Sequence, residues 1–387
     1  MLIFQRLERK THQGVRWFGG IAVLCLCCLF AVAASAQEAG TAGIGDSTAA
    51  TFTIINAPGA GTGANQGTLA ESINTSGVIA GNYWDTNNVS HGYVRAANGT
   101  ITTFSVPAAG TSAGQGTGGC YGINAAGDIS ANYIDSNNVV HGLVRAANGT
   151  MHAFNAPGAG TGADQGTFPY SINASVTISG YYIDASNVGH GFVRASNGTM
   201  TSFDAPGAGT GAGQGTYAYG INASGVIAGL YTDSTSTIHG FVRAADGTIT
   251  DFDAPGADGT YGYGINASGT IAGNSWIAGE GASGMVRAAD GTITTFNAPG
   301  AGTSNSQGTV GFAINASGII TGWYLDANTA YHGFLRTASG TLGTFNAPGA
   351  GTAANQGTNP LGINTAADIV GYFVDASGVV HGFLRTP

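Results

Sequence analysis

The sequence predicts an all-β chain, a seven-bladed β-propeller of four-stranded blades, on three observations. A His-Gly marker recurs at His91, His141, His190, His239, His332 and His381, with Ser283 in place of His in the fifth copy, at steps of 50, 49, 49, 44, 49 and 49 residues. That period is too long for one coil of a β-solenoid and suits one propeller blade. Each copy holds four short β-patterned runs between turn residues, and no stretch shows helical periodicity. The two ends of the array also complement each other. The seventh copy stops at Arg385-Thr386-Pro387, before its fourth strand, while ATFTIINAPG from Ala50 aligns with GTITTFNAPG from Gly291.

Residues 1–36 read as a secretory signal. A positively charged start (Arg6, Arg9, Lys10, Arg16) is followed by the apolar residues 21–34 and an A-x-A cleavage site, Ala34-Ser35-Ala36. The competing reading is an uncleaved anchor, because residues 19–36 carry no charge over 18 residues, near the spanning minimum. Cleavage near Ala36 predicts a secreted, periplasmic or surface protein, with residues 37–49 as a short linker and 50–387 as the repeats. Cys25, Cys27 and Cys28 leave with the signal. The remaining Cys120 cannot form an intramolecular disulfide, so packing and hydrogen bonds must hold the fold, and Cys120 reads as a small buried apolar residue.

Of 11 basic residues, four lie in the leader, and the 7 that remain are all Arg. Against 19 retained acidic residues this gives a net charge of −12. A lysine-free polyanion cannot neutralise a row of phosphates or an anionic bilayer, which excludes nucleic acid and acidic membrane surfaces as partners. Hydrophobic residues make up 43% of the chain, enough for a sizeable core.

The fourth copy shows the strands most clearly, at 216–222, 226–233, 238–244 and 248–253, with Asn-Ala-Ser-Gly and Ala-Asp-Gly turns where Gly and Asn take positive φ. The segment at 50–55 is then the borrowed fourth strand of the last blade. It closes the ring, hides two sheet edges, and buries Phe52, Ile54 and Ile55 at about 1.5–3 kcal/mol each.

The repeat motif resembles the extracellular HAF-repeat proteins, named for a His-Ala-Phe triplet. Here the triplet is HGF at His190, His239, His332 and His381, HGY at His91 and HGL at His141. Ile-Asn, Ile-x-Gly-x-Tyr-x-Asp and Gly-Thr flank it in the same order. The resemblance covers residues 50–387 and departs from the family in having Gly for the middle Ala. It implies an exported bacterial repeat protein and brings no defined activity.

Six copies place Asp six residues before His: Asp85/His91, Asp135/His141, Asp184/His190, Asp233/His239, Asp326/His332 and Asp375/His381. The expected hairpin register sets Asp233 opposite His239, Tyr231 opposite Phe241 and Gly229 opposite Arg243, with Gly229 leaving room for the Arg. A carboxylate-polarised His is half of a catalytic triad. One site needs one dyad, however, so six copies read as a structural clamp. Equivalent residues spread around a ring do not converge on one ion, and the loops at Asp85, Asp135 and Asp184 lack paired carboxylates, so no metal is expected. The glycine-rich loop APGAGTGAGQGT leads into a strand, where a phosphate cradle needs a helix N-terminus, so no nucleotide or other cofactor is expected. The N-x-S/T triplets at Asn74, Asn173, Asn222, Asn266 and Asn315 fall in turns and would matter only in a glycosylating host.

Symmetry breaks in the fifth copy. It loses five residues with the Gln-Gly-Thr loop, replaces the Asp with Ile277 and the His with Ser283, and gains Trp276 and Glu280. The shortened loop and the Trp276–Ser283 loop should form a notch on one side of the ring, near Trp84 and Trp323 at the same ends of their strands. Trp276, Glu280, Trp84 and Trp323 are therefore the candidate ligand-binding residues, suited to stacking on a sugar or another neutral polar ligand. The competing reading is drift of the fifth blade, with Trp276 filling space. The sequence thus predicts an exported, non-catalytic binding or structural module for glycans or a surface partner. The alternative is a glycan-processing hydrolase or lyase, for which Glu280 and a nearby repeat Asp would have to lie within about 10 Å.

Overall fold

The computed structural model describes residues 50–387, so the leader, its cleavage site and the linker at 37–49 lie outside the described residues. These residues form 28 strands, numbered here in chain order, and no helix. After β1 (Thr51–Ile55), the first repeat contributes β2 (Gly67–Ile73), β3 (Ile79–Trp84), β4 (Ser90–Arg95) and β5 (Ile101–Phe104), paired antiparallel in that order. The fourth repeat, β14 (Gly215–Ile221), β15 (Ile227–Thr232), β16 (Ile238–Arg243) and β17 (Ile249–Phe252), repeats the pattern, with each boundary within one residue of the expected position. The last repeat has β26 (Gly357–Ile363), β27 (Ile369–Val374) and β28 (Val380–Thr386). Its fourth strand is β1, paired antiparallel from Thr51↔Thr386 to Ile55↔Gly382. The architecture is all-β and propeller-like.

Neighbouring units meet where the third strand of one touches the first strand of the next. Ser90 pairs with Gly116 in parallel, and Val380 pairs with Gly67 in the same way. Gly67 takes φ +119, and a Cβ there would run into the Val380 backbone, so this close approach requires Gly. The Asn that ends each first strand donates from Nδ2 to the carbonyl of the equivalent Asn in the next unit, at 3.0–3.3 Å, from Asn74→Asn124 through to Asn364→Asn74. Five of these Asn head the N-x-S/T triplets. Their side chains are buried and bonded, so the turns use them for inter-unit contact.

The core lies between units. Ile227, Ala218 and Phe241 are fully buried and pack against Phe203 from the preceding unit. Six of the seven Arg lay their guanidinium over the Phe of the preceding outermost strand, at 4.7–5.1 Å, as Arg243 does over Phe203.

Two expectations need correction. The hairpin register is displaced by two residues: Tyr231 faces His239, Gly229 faces Phe241 and Ile227 faces Arg243. Asp233 lies outside the strand and opens a loop instead, with its N–H donating to the Thr237 carbonyl at 2.9 Å and Ser236 at φ 69. A shift of two keeps the same side chains on one face, but it is the Tyr217 backbone carbonyl and the Phe241 ring, the latter 2.6 Å from where a Gly229 Cβ would stand, that require the glycine. In β1 only Ile55 is fully buried; Phe52 is half-buried against Phe345 and Phe383, and Ile54 is 40% exposed. An outermost strand is covered only where it reaches inward, so the expected burial of Ile54 does not occur.

Candidate functional site

The first strand of every unit is innermost. Together these strands enclose a central cavity of about 570 Å³. One position per first strand forms a belt around it: Tyr121, Tyr170, Tyr219, Tyr263 and Phe312, with Leu361 in the last unit and Glu71 in the first. The rings follow one another around the wall, Tyr121 stacked on Tyr170 at 4.7 Å, then Tyr170 edge-on to Tyr219 at 4.7 Å, Tyr219 to Tyr263 and Tyr263 to Phe312 at 5.4 Å each.

Trp84, Trp276, Trp323 and Glu280 all line this same cavity. Trp84 is buried, Trp276 and Trp323 are half-buried, and Glu280 is exposed. The indole Nε1 groups of Trp276 and Trp323 and the Oδ1 of Asn274, also in the wall, are buried with no hydrogen-bond partner. All three atoms are enclosed by protein, and Trp276 Nε1 packs against Gly259, so what these residues present to the cavity is ring surface.

The fifth-unit loop is built differently from the expected notch. Its N–H groups reach the next unit: Gly279 donates to Asn305 Oδ1 at 3.1 Å, Gly281 to the Thr303 carbonyl at 2.9 Å, and Ala282 to the Gln307 carbonyl at 2.8 Å. Asp258 Oδ2 accepts from the Ala278 N–H at 2.8 Å, supplying a carboxylate where the repeat Asp is missing. The Gly-Thr pair survives as Gly259-Thr260, and Thr260 Oγ1 still accepts from Ala254 N–H at 3.0 Å. The deletion removed only the bulge of the loop, so the loop edges the central cavity instead of opening a separate cleft.

Glu71 was not singled out from the sequence. Its side chain is buried and Oε2 accepts from the Cys120 N–H at 2.6 Å. Burial pushes its carboxyl up to about 7, against the opposing pull of that hydrogen bond. The available signal was its position: a carboxylate in the slot where every other repeat carries an aromatic residue or Leu. Cys120 itself is fully buried in an apolar cluster, and burial pushes its thiol well up.

None of the twelve Asp/His residues lines the cavity. In each pair His Nε2 lies 3.3–3.6 Å from Asp Oδ2. The His ring stacks on the aromatic residue opposite, as in Tyr231–His239 at 4.9 Å. Its Nδ1 meets a polar residue of the outermost strand's end, as in His239 to Asp253 at 2.8 Å and His381 to Asn56 at 2.9 Å. Asp85 Oδ1 accepts from the N–H groups of Asn87 and Val89. Burial raises the Asp85 carboxyl, but those two N–H bonds and His91 outweigh it and hold it below the usual range. The glycine-rich loop is likewise held internally, with Gln214 Oε1 accepting from Gly211 N–H and Thr216 Oγ1 from Ala205 N–H. Among the described residues no three His, Cys, Asp or Glu side chains are arranged so that they could hold a metal ion.

No protein-family model matches the sequence, and no curated protein matches it. Solved structures do. The chain is similar to a streptogramin B lyase at 15% identity and a TM-score of 0.56, over 87% of this chain and 98% of that one. It is similar to a lectin from Burkholderia pseudomallei at 8% identity and a TM-score of 0.53, over 82% and 96%. The likeness is one of fold.

Proposed function

We propose that the protein is an exported, non-catalytic binding module on a seven-bladed propeller of the HAF-repeat type, and that its ligand, a glycan, enters the central cavity past Trp84, Trp276, Trp323 and Glu280. The observation that carries this reading is the convergence of those four side chains on one cavity, whose indole rings give a guest apolar surface to stack on. Seven blades in a closed ring are supported by the β1–β28 pairing, the Val380–Gly67 contact and the Asn364→Asn74 bond. The twelve Asp/His residues act as clamps that fix each hairpin.

The fold likeness does not choose between classes, since one neighbour is named a lectin and the other a lyase. Glu71 favours a second reading, a glycan-processing hydrolase or lyase, because a buried carboxyl that holds its proton to about pH 7 is fitted to act as a general acid. The test is binding of residues 37–387, which hold all the strands, to a broad glycan panel beside the Trp276→Ala variant. Binding that vanishes in the variant is expected. Binding unchanged by Trp276→Ala refutes the site, no binding refutes the glycan class, and turnover that disappears in Glu71→Gln selects the second reading.

A further inference from the structure

The inner belt of the cavity has a chemistry that its mouth does not share. Five aromatic rings and one carboxyl surround the same space, and among the described residues no Arg, Lys or His lines it. Among the described residues the only formal charges the wall can carry are negative, at Glu71 in the belt and the exposed Glu280. The six Arg that lie over Phe rings are committed to contacts between units, away from this wall.

We propose that the inner belt binds an organic cation, an amine or quaternary ammonium group, with the Glu71 carboxylate as its counter-ion and the rings of Tyr121, Tyr170 and their successors walling it off from water. This rests on the reading of the central cavity as the ligand site and names the charge of the group that occupies its floor. A carboxylate buried without a countercharge is costly, so burial keeps Glu71 protonated into the neutral range, and a cationic guest would supply the missing charge. Among the described residues the other titratable groups facing Glu71 are Tyr93 of β4, Cys120 and Tyr121 of β6 (Gly116–Ile123), and Tyr372 of β27. Burial pushes all four up, which leaves them neutral where Glu71 titrates.

The test uses benzyltrimethylammonium and its uncharged carbon isostere neopentylbenzene, titrated into residues 37–387 with tryptophan fluorescence and calorimetry as readouts. The cation is expected to bind about 100-fold more tightly than the isostere at pH 8, where Glu71 is ionised. Its affinity should fall about 100-fold between pH 9 and pH 5, because protonating Glu71 removes the counter-ion. Glu71→Gln keeps an oxygen for the Cys120 N–H and should abolish the preference for the cation while leaving the isostere unaffected. Equal binding of both probes, or a cation affinity indifferent to pH and to Glu71→Gln, overturns the inference and leaves the cavity reading standing. If neither probe nor any glycan binds, both fall. Should Glu71→Gln not fold, the pH profile of the wild-type protein decides alone.

Discussion

The middle glycine of the His-Gly-Phe triplet separates six seams of the array from the seventh. A Cβ on Gly191 would stand 2.6 and 2.7 Å from two ring carbons of Phe203. That ring cannot retreat, because it packs edge-on to Phe241 at 6.0 Å and lies under Arg243 at 4.8 Å. At the seam made by the chain ends, Ile55 stands where the other repeats have Phe. A Cβ on Gly382 would meet the Ile55 carbonyl at 3.2 Å, its Cβ at 3.3 Å and Thr68 Cγ2 at 3.4 Å. Overpacking a core costs about 1–3 kcal/mol. Replacing Gly by Ala returns about 0.4–1 kcal/mol by restricting the unfolded chain. Gly191→Ala should therefore lose about 1–2 kcal/mol net, and Gly382→Ala should come out near zero. For a chain of this length 1 kcal/mol moves Tm by roughly 1–2 °C, so calorimetry should show a drop of about 2–3 °C for Gly191→Ala and less than about 1 °C for Gly382→Ala. Adding Ile55→Phe to Gly382→Ala should restore the clash and the loss. Equal Tm values for the two single variants would refute the reasoning, since ring contact would then not be why this chain carries Gly at these positions.

Deleting residues 50–55 removes a strand paired along β28 and the burial of Ile55, about 1.5–3 kcal/mol, and bares the β28 edge. A lower Tm and self-association in size-exclusion chromatography are expected, and an unchanged Tm would count against the borrowed strand. Asp184→Ala loses two backbone N–H partners, Ser186 and Val188, each bonded at 2.8 Å, and should cost about 2 kcal/mol, while Asp184→Asn keeps an acceptor and most of the stability. Ligand binding that survives Asp184→Ala supports the clamp role; binding lost while the fold holds would move the dyad into the site. Glu71 titrates near 7 when folded and near 4.5 when unfolded, so the folded state holds the extra proton between those values and stability declines as pH rises through that window, by an amount on the order of 3 kcal/mol. Glu71→Gln should flatten this dependence in melts from pH 4 to pH 8, and an identical slope would show that Glu71 does not carry it.

The placement of Trp84, Trp276 and Trp323 was half legible in the sequence. Their common position at the ends of second strands could be read from the repeat, but their meeting at one cavity depends on which strand of each unit lies innermost. Alternation of apolar and polar residues specifies faces, not the order of strands from centre to rim. Glu71 was missed for the same reason: as a residue in a strand it is one carboxylate among several, and only its place in the central wall makes it the buried one. The hairpin register went astray because the five residues from Asp233 to Thr237 close the loop through the Asp backbone and side chain together, and a shift of two leaves the alternation unchanged.

By itself the sequence determined the all-β class, the repeat boundaries, the four strands per repeat and the partnership of the two chain ends, because those follow from local periodicity, turn residues and the alignment of one copy on another. Only the tertiary structure decided the hairpin register, the contact of Arg with the preceding Phe, the Asn ladder between units and the identity of the cavity wall. Each of these joins residues about one repeat or more apart, or sets one local pattern against its neighbour, and contacts of that range are fixed by packing rather than by the order of residues along a strand.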